Sequence, residues 1–225
     1  KEVVAFYPFT HKDKIKRVPY PEGITVDESS KVACIRVPDV YNTFVIKDKT
    51  IMSFDPIREK VEIIGKINVE PASKIKIFRF FPSQKTGLFF WDEAGVFYCY
   101  SMNNGIKQMW KRPYKSRYIK NILSSFKEFV ITTGPKGNEI IFYSKENGEI
   151  KHKVQVSGQR HFYTFDDNDL LVCSNTGDMV RLSLSRGVKE VWRTVLPESG
   201  ITAAPVISKT RFYALNSSGK CIAGF

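Results

Sequence analysis

Three features of the sequence predict an all-β fold made of four-stranded antiparallel sheets repeated along the chain. Glycines recur in two interleaved series of one period, short apolar segments of strand composition lie between them, and no segment sustains a 3.6-residue apolar period.

The first series is Gly95, Gly137, Gly177 and Gly219, separated by 42, 40 and 42 residues. The second is Gly105, Gly148 and Gly187, separated by 43 and 39. Turns such as Asn103-Asn104-Gly105 and Glu146-Asn147-Gly148 supply the positive-φ residues that hairpins require. Between the two glycines of a repeat lie segments rich in β-branched, aromatic and aliphatic residues: Val96–Tyr100, Glu139–Tyr143 and Met179–Leu184. These read as strands. After the second glycine come Ile106–Trp110, Glu149–Val154 and Val188–Trp192, whose partial alternation suits half-buried strands.

Upstream of the first series each repeat has another apolar segment, Gly87–Trp91, Glu128–Thr132, Asp169–Cys173 and Arg211–Leu215. A further strand precedes these, as in Lys74–Phe80 and Ile201–Ile207. Each repeat therefore has four strands, A to D. Strands at 96–101, 139–144, 179–184 and 220–224 are expected to be equivalent C strands. The repeats fall at about 24–72, 73–114, 115–156 and 157–198, with a half blade at 1–23 and a partial blade at 199–225.

Four-stranded sheets at this interval are buried most simply as radially packed blades, so the expected architecture is a β-propeller and the chain a single propeller domain or propeller fragment. A β-sandwich gives no reason for the steady period. About five blades of sequence are present, either a closed five-bladed ring or part of a six- to eight-bladed one. The likeness of Val3–Tyr7 to Ile140–Tyr143 favours the larger ring.

The C and D strands resemble those of the quinoprotein-dehydrogenase type of propeller, the PQQ-like repeat also found in BamB-like assembly lipoproteins. The motif is a turn ending in Gly, then Lys, then Trp. It stands here as Gly105-Ile106-Lys107-Gln108-Met109-Trp110 and Gly187-Val188-Lys189-Glu190-Val191-Trp192, with Trp five residues after Gly in both. After Gly148 the same count falls on Lys153, and the first blade lacks the glycines. Ala203–Ile207 followed by Phe212–Leu215 resembles the family's A and B strands. The resemblance covers most of 75–225. It implies that Trp110 and Trp192 dock between neighbouring blades as structural residues, and that the protein works outside the cytoplasm, in the periplasm or cell envelope; a cytoplasmic location is the alternative. WD repeats fit less well, since Trp91-Asp92 occurs once and the Gly-His pair is missing.

No catalytic residue, metal or cofactor is expected. Quinone-dependent members of the family use adjacent cysteines and a calcium ion, whereas Cys34, Cys99, Cys173 and Cys221 are far apart and lie among apolar neighbours, as buried free thiols do. His11, His152 and His161 share no metal spacing. Asp166-Asp167-Asn168-Asp169 lacks the Gly and distal Glu of a calcium loop and reads as an acidic A–B turn. His161 is placed in an inter-blade connection. No apolar run approaches the roughly 20 residues of a spanning helix, and Lys1–Phe9 lack a signal-peptide pattern.

The charge is uneven. The net value of +12 comes mostly from residues 1–120, with 22 basic and 13 acidic side chains against 13 and 10 in the remainder. From Ile106 through Lys120 there are six basic and three aromatic side chains and no acid. This places a candidate binding surface at Lys111, Arg112, Tyr114, Lys115, Arg117 and Tyr118, for which the first partner is a protein with an acidic surface. Nucleic acid or an anionic membrane surface is a weaker alternative, and no small-molecule substrate is evident. By the family's geometry this connection shares a face with B–C turns such as Glu93-Ala94. The leading function is a non-catalytic scaffold that presents loops from one face to a protein; the alternatives are a ligand-binding or quinoprotein-like enzyme domain and a sensory or assembly module.

Overall fold

The computed structural model describes residues 2–6, 15–19, 22, 26, 29–37, 40–55, 60–80, 85–113, 122–134, 137–156, 158, 160–164, 168–195, 206–207, 212–215 and 221–224. Among them there are strands and turns but no helix. The chain begins with a hairpin of β1 (Glu2–Phe6) and β2 (Ile15–Pro19). A four-stranded sheet follows, β3 (Lys31–Val37), β4 (Val40–Lys47), β5 (Thr50–Asp55) and β6 (Lys60–Lys66). The next is β7 (Lys76–Arg79), β8 (Thr86–Trp91), β9 (Val96–Ser101) and β10 (Lys107–Pro113). Two more sheets repeat the order: β11 (Ile122–Phe126), β12 (Phe129–Thr133), β13 (Glu139–Ser144) and β14 (Ile150–Gln155), then β15 (Arg160–Thr164), β16 (Asp169–Ser174), β17 (Asp178–Ser183) and β18 (Lys189–Val195). A three-stranded sheet ends the series with β19 (Val206–Ile207), β20 (Phe212–Leu215) and β21 (Cys221–Gly224).

Strands within each sheet follow chain order, and every registered pair is antiparallel. The expected C strands are β9, β13, β17 and β21, each third in its own sheet. Two compact units can be distinguished, Lys1–Phe129 with Lys145–Gly148, and Val130–Ser144 with Glu149–Phe225.

Position within a sheet sets burial. The second strands β8, β12 and β16 are buried along nearly their whole length, which is why they read as continuous apolar runs. The D strands differ from the half-buried expectation: β10 buries only Trp110, β14 only Val154, and β18 no residue fully. They are sheet edges, and their exposed lysines suit that place because charge discourages pairing with other chains. In the first unit the sheets β3–β6 and β7–β10 share one apolar cluster that includes Ile46, Ile51, Ile77, Leu88 and Phe90. In the second, Leu170–Cys173, Met179, Val180 and Leu182 are buried.

The periodic glycines that are described all have positive φ, from 71° at Gly137 and Gly148 to 96° at Gly105. At Gly105 the backbone alone requires glycine, since an added Cβ would meet nothing within 4 Å. Gly148 is doubly constrained: besides its φ of 71°, an added Cβ would lie 2.6 Å from the Trp110 ring. At the first of its two expected turn positions the first blade lacks glycine for a physical reason. Its β4–β5 turn closes in two residues, Asp48 and Lys49, both left-handed (φ 48° and 62°), with Lys47 opposite Thr50. This is the geometry of a tight primed hairpin turn, formed here without glycine.

Candidate functional site

The basic segment begins on β10, where Lys107, Lys111 and Arg112 are exposed and Trp110 is buried. A β-bulge at Met109 shifts the register between Gln108 and Trp110 and sets the indole opposite Cys99. The ring meets Phe97 edge-on at 5.4 Å and lies 5.9 Å from Phe89. Its Nε1 donates to the Lys145 carbonyl at 2.8 Å, so a buried donor is satisfied by the following blade's C–D turn.

Arg112 belongs to the same junction. Its guanidinium donates to the Asn147 carbonyl from Nε at 3.2 Å and Nη2 at 2.8 Å. The side chain is exposed but committed to a neighbouring turn, which leaves Lys107 and Lys111 as the described cations of β10 that are not bound to that turn. Tyr114, Lys115, Arg117 and Tyr118 lie outside the described residues.

β18 repeats this arrangement in part. A bulge at Val191 sets Trp192 opposite Arg181, the position in β17 that Cys99 holds in β9. There, however, Trp192 is only half-buried. The adjacent Arg193 pairs with Glu190 at 2.8 Å and donates to the Gln155 carbonyl at the end of β14.

In β14 the bulge at Lys151 brings His152, not Lys153, to the tryptophan place, opposite Phe142. Counting from Gly148 misplaces the residue because this turn is one residue shorter. The His152 ring packs edge-on against Phe142, with centroids 6.5 Å apart. His161 is also displaced from expectation: it is within strand β15, opposite Cys173, and not in a connection.

Lys145 was not singled out by its sequence context. It is buried, and its ammonium donates to the carbonyls of Arg79 at 2.8 Å and Lys127 at 2.5 Å. Burial lowers its pKa to about 8, partly offset by the Glu128 carboxylate. With its own carbonyl taken by Trp110 and its backbone N–H donating to the Glu128 backbone carbonyl, the residue ties its own turn to three other segments.

Other candidate chemistry is occupied or sealed. Asp169 is buried and accepts from Arg181 Nε at 2.8 Å and from its Nη2, so it acts as an ion-pair partner. Asp166 and Asp167 lie outside the described residues. The Cys99 and Cys173 thiols are free and buried, and burial pushes Cys173 up to about 12 and Cys99 well above its usual value. Cys34 and Cys221 are in β3 and β21, and their side chains are outside the description. Among the described residues no three His, Cys, Asp or Glu side chains come together as metal ligands.

The B–C turns of the first unit have a different character. A cavity of about 390 Å³ is lined by Lys49, Asn68, Glu70, Asp92 and Glu93 among others. Glu70 accepts from the Lys49 N–H at 3.0 Å, and Asp92 accepts from Val96 N–H at 2.8 Å and the Tyr98 hydroxyl at 3.1 Å. Burial, then the Asp92 charge, raises the Tyr98 pKa to about 12. This turn face is mainly acidic where described, unlike β10.

Successive four-stranded antiparallel sheets with buried inner strands and bulged, charged edge strands form a β-propeller fold. The chain is similar to BamB from Moraxella catarrhalis, at 15% identity and a TM-score of 0.57, over 89% of this chain and 59% of that one. Two structures of BBS1N in complex with ARL6DN, soaked with lead and with mercury, give TM-scores of 0.55 and 0.56 at 16% and 15% identity. They cover 94% and 93% of this chain and 67% and 70% of theirs. The chain thus spans somewhat over half the length of the BamB chain. No protein-family model matches it, and no curated protein sequence does.

Proposed function

We propose that the chain is a non-catalytic propeller scaffold, one domain or part of a larger ring, that holds a protein partner of acidic surface. The observation carrying this reading is the exposed cationic edge of β10, Lys107 and Lys111, which runs into a connection bearing Tyr114, Lys115, Arg117 and Tyr118 with no acid in between. Cationic charge with adjacent tyrosines suits a protein hot spot. Charge of this sign also speeds encounter with an acidic partner. The BBS1N structures support the reading by analogy, since that propeller was solved in complex with a protein. Arg112 contributes to the strip's rigidity through Asn147.

The test is a cross-linked pull-down from native extract with the wild-type chain and with Lys111→Glu/Lys115→Glu/Arg117→Glu. A specific protein captured by the first, lost by the second and released by moderate salt is the expected result. Capture of the same proteins by both would sink the reading, and nuclease-sensitive capture would replace the protein with nucleic acid.

A further inference from the structure

A cavity of about 560 Å³ opens in the first unit between β3 and β7, the first strands of two successive sheets. Its wall includes Ser30, Lys31, Lys74 and Lys76, with Val32 and Ile77 among the apolar residues, and no carboxylate lines it. Lys31 and Lys76 are half-buried and Lys74 is exposed. Among the described residues none of the three ammonium groups is in an ion pair, although Lys47, Lys60 and Lys151 each have an acidic neighbour.

Four features together point to a ligand. Three lysines lining one concave site with no carboxylate among the lining residues place like charges near one another and focus a positive field there, which a bound anion would offset. Both strands are terminal in their sheets, and sheet edges offer backbone N–H groups that favour anions. The volume falls within the range of roughly 300–1,000 Å³ usual for small-molecule sites. Val32, 56% exposed, and the buried Ile75 and Ile77 give the site an apolar side that a bare counter-ion would not need.

We propose that the cavity between β3 and β7 binds a small multivalent anion, a polycarboxylate or a phosphate ester, through Lys31, Lys74 and Lys76. Lys31 is more than forty positions from the other two, so their meeting depends on the packing of successive blades. The proposal does not depend on the cationic strip of β10, none of whose residues line this cavity.

The test is calorimetric titration at constant ionic strength with citrate and with pyrophosphate, which separate the carboxylate and phosphate sources. Three proteins are compared: wild type, Lys31→Gln/Lys74→Gln/Lys76→Gln, and a control of equal charge change, Lys66→Gln/Lys153→Gln/Lys189→Gln. Saturable binding of at least one probe is expected, weakened about tenfold or more in the cavity variant and less than about twofold in the control. Lys76→Gln alone, expected to weaken binding several-fold, serves if the triple variant does not fold. Equal losses in both triple variants, absence of binding to either probe, or tighter binding of a hexaglutamate peptide than of both small anions would overturn the proposal.

Discussion

Two D strands carry the same Gly-x-Lys-x-x-Trp motif and the same bulge, yet they anchor their sheets differently. In β10 the indole is buried and bonded forward to Lys145, and Arg112 grips the same turn. In β18 the indole is half-buried, and Arg193 reaches back to the end of β14. The shared register therefore does not carry a shared degree of burial, which depends on the segment packed over the ring. What makes β10 special is Gly148, which leaves room for the ring where any side chain would collide.

The largest effect that could break this comparison is truncation of the two rings. Trp110→Ala is expected to cost about 3–5 kcal/mol, as for a buried aromatic with a satisfied donor. Trp192→Ala should cost about 1–2 kcal/mol, nearer the ordinary range for a point substitution. Equal losses in denaturant unfolding would show that the motif, not its surroundings, sets the energy.

A second contrast uses the turns. Gly148→Ala combines a left-handed backbone with a clash and should cost about 2–3 kcal/mol, whereas Gly105→Ala meets open space and should cost about 1 kcal/mol. Thermal unfolding midpoints distinguish the pair. In the double variant Trp110→Ala/Gly148→Ala the two losses should sum to less than their separate values, because the clash disappears with the ring.

The smallest effect concerns Lys145. Its pKa of about 8 in the folded chain lies below the usual lysine value of 10.5. Below pH 8 both states hold the proton and the burial penalty is complete. Between pH 8 and 10.5 the unfolded chain holds more proton than the folded one, so this residue's contribution to stability rises with pH. The two carbonyl acceptors still receive N–H bonds from a neutral amine. The difference in midpoint between wild type and Lys145→Met should therefore shift in favour of wild type from pH 7.5 to 9.5; a flat difference would refute the lowered pKa.

The repeat was legible because hairpin turns need positive φ and glycine supplies it most easily, so Gly95, Gly105, Gly148 and their equivalents mark the strands from sequence alone. The first blade is less legible because Asp48 and Lys49 meet the same need without glycine. Counting from Gly148 chose Lys153 where the strand presents His152, since all three D strands carry the bulge but this turn closes one residue sooner, a difference that composition does not mark. Of the basic segment, the clustering of charge was readable, whereas the near-complete exposure of β10 was not, since its partial alternation reads as a half-buried strand. Nor was the commitment of Arg112 to Asn147, because the acceptor is a backbone carbonyl, which every residue possesses.

By itself, then, the sequence determined the all-β class, the order of strands and the places where the chain turns, because these depend on neighbours a few residues away. Tertiary structure alone decided that Lys145 is buried among carbonyls of distant turns, that one tryptophan is enclosed and the other half-open, and that Lys31 meets Lys74 and Lys76 around a cavity. Those outcomes depend on desolvation and on the approach of segments tens of residues apart, which no local pattern encodes.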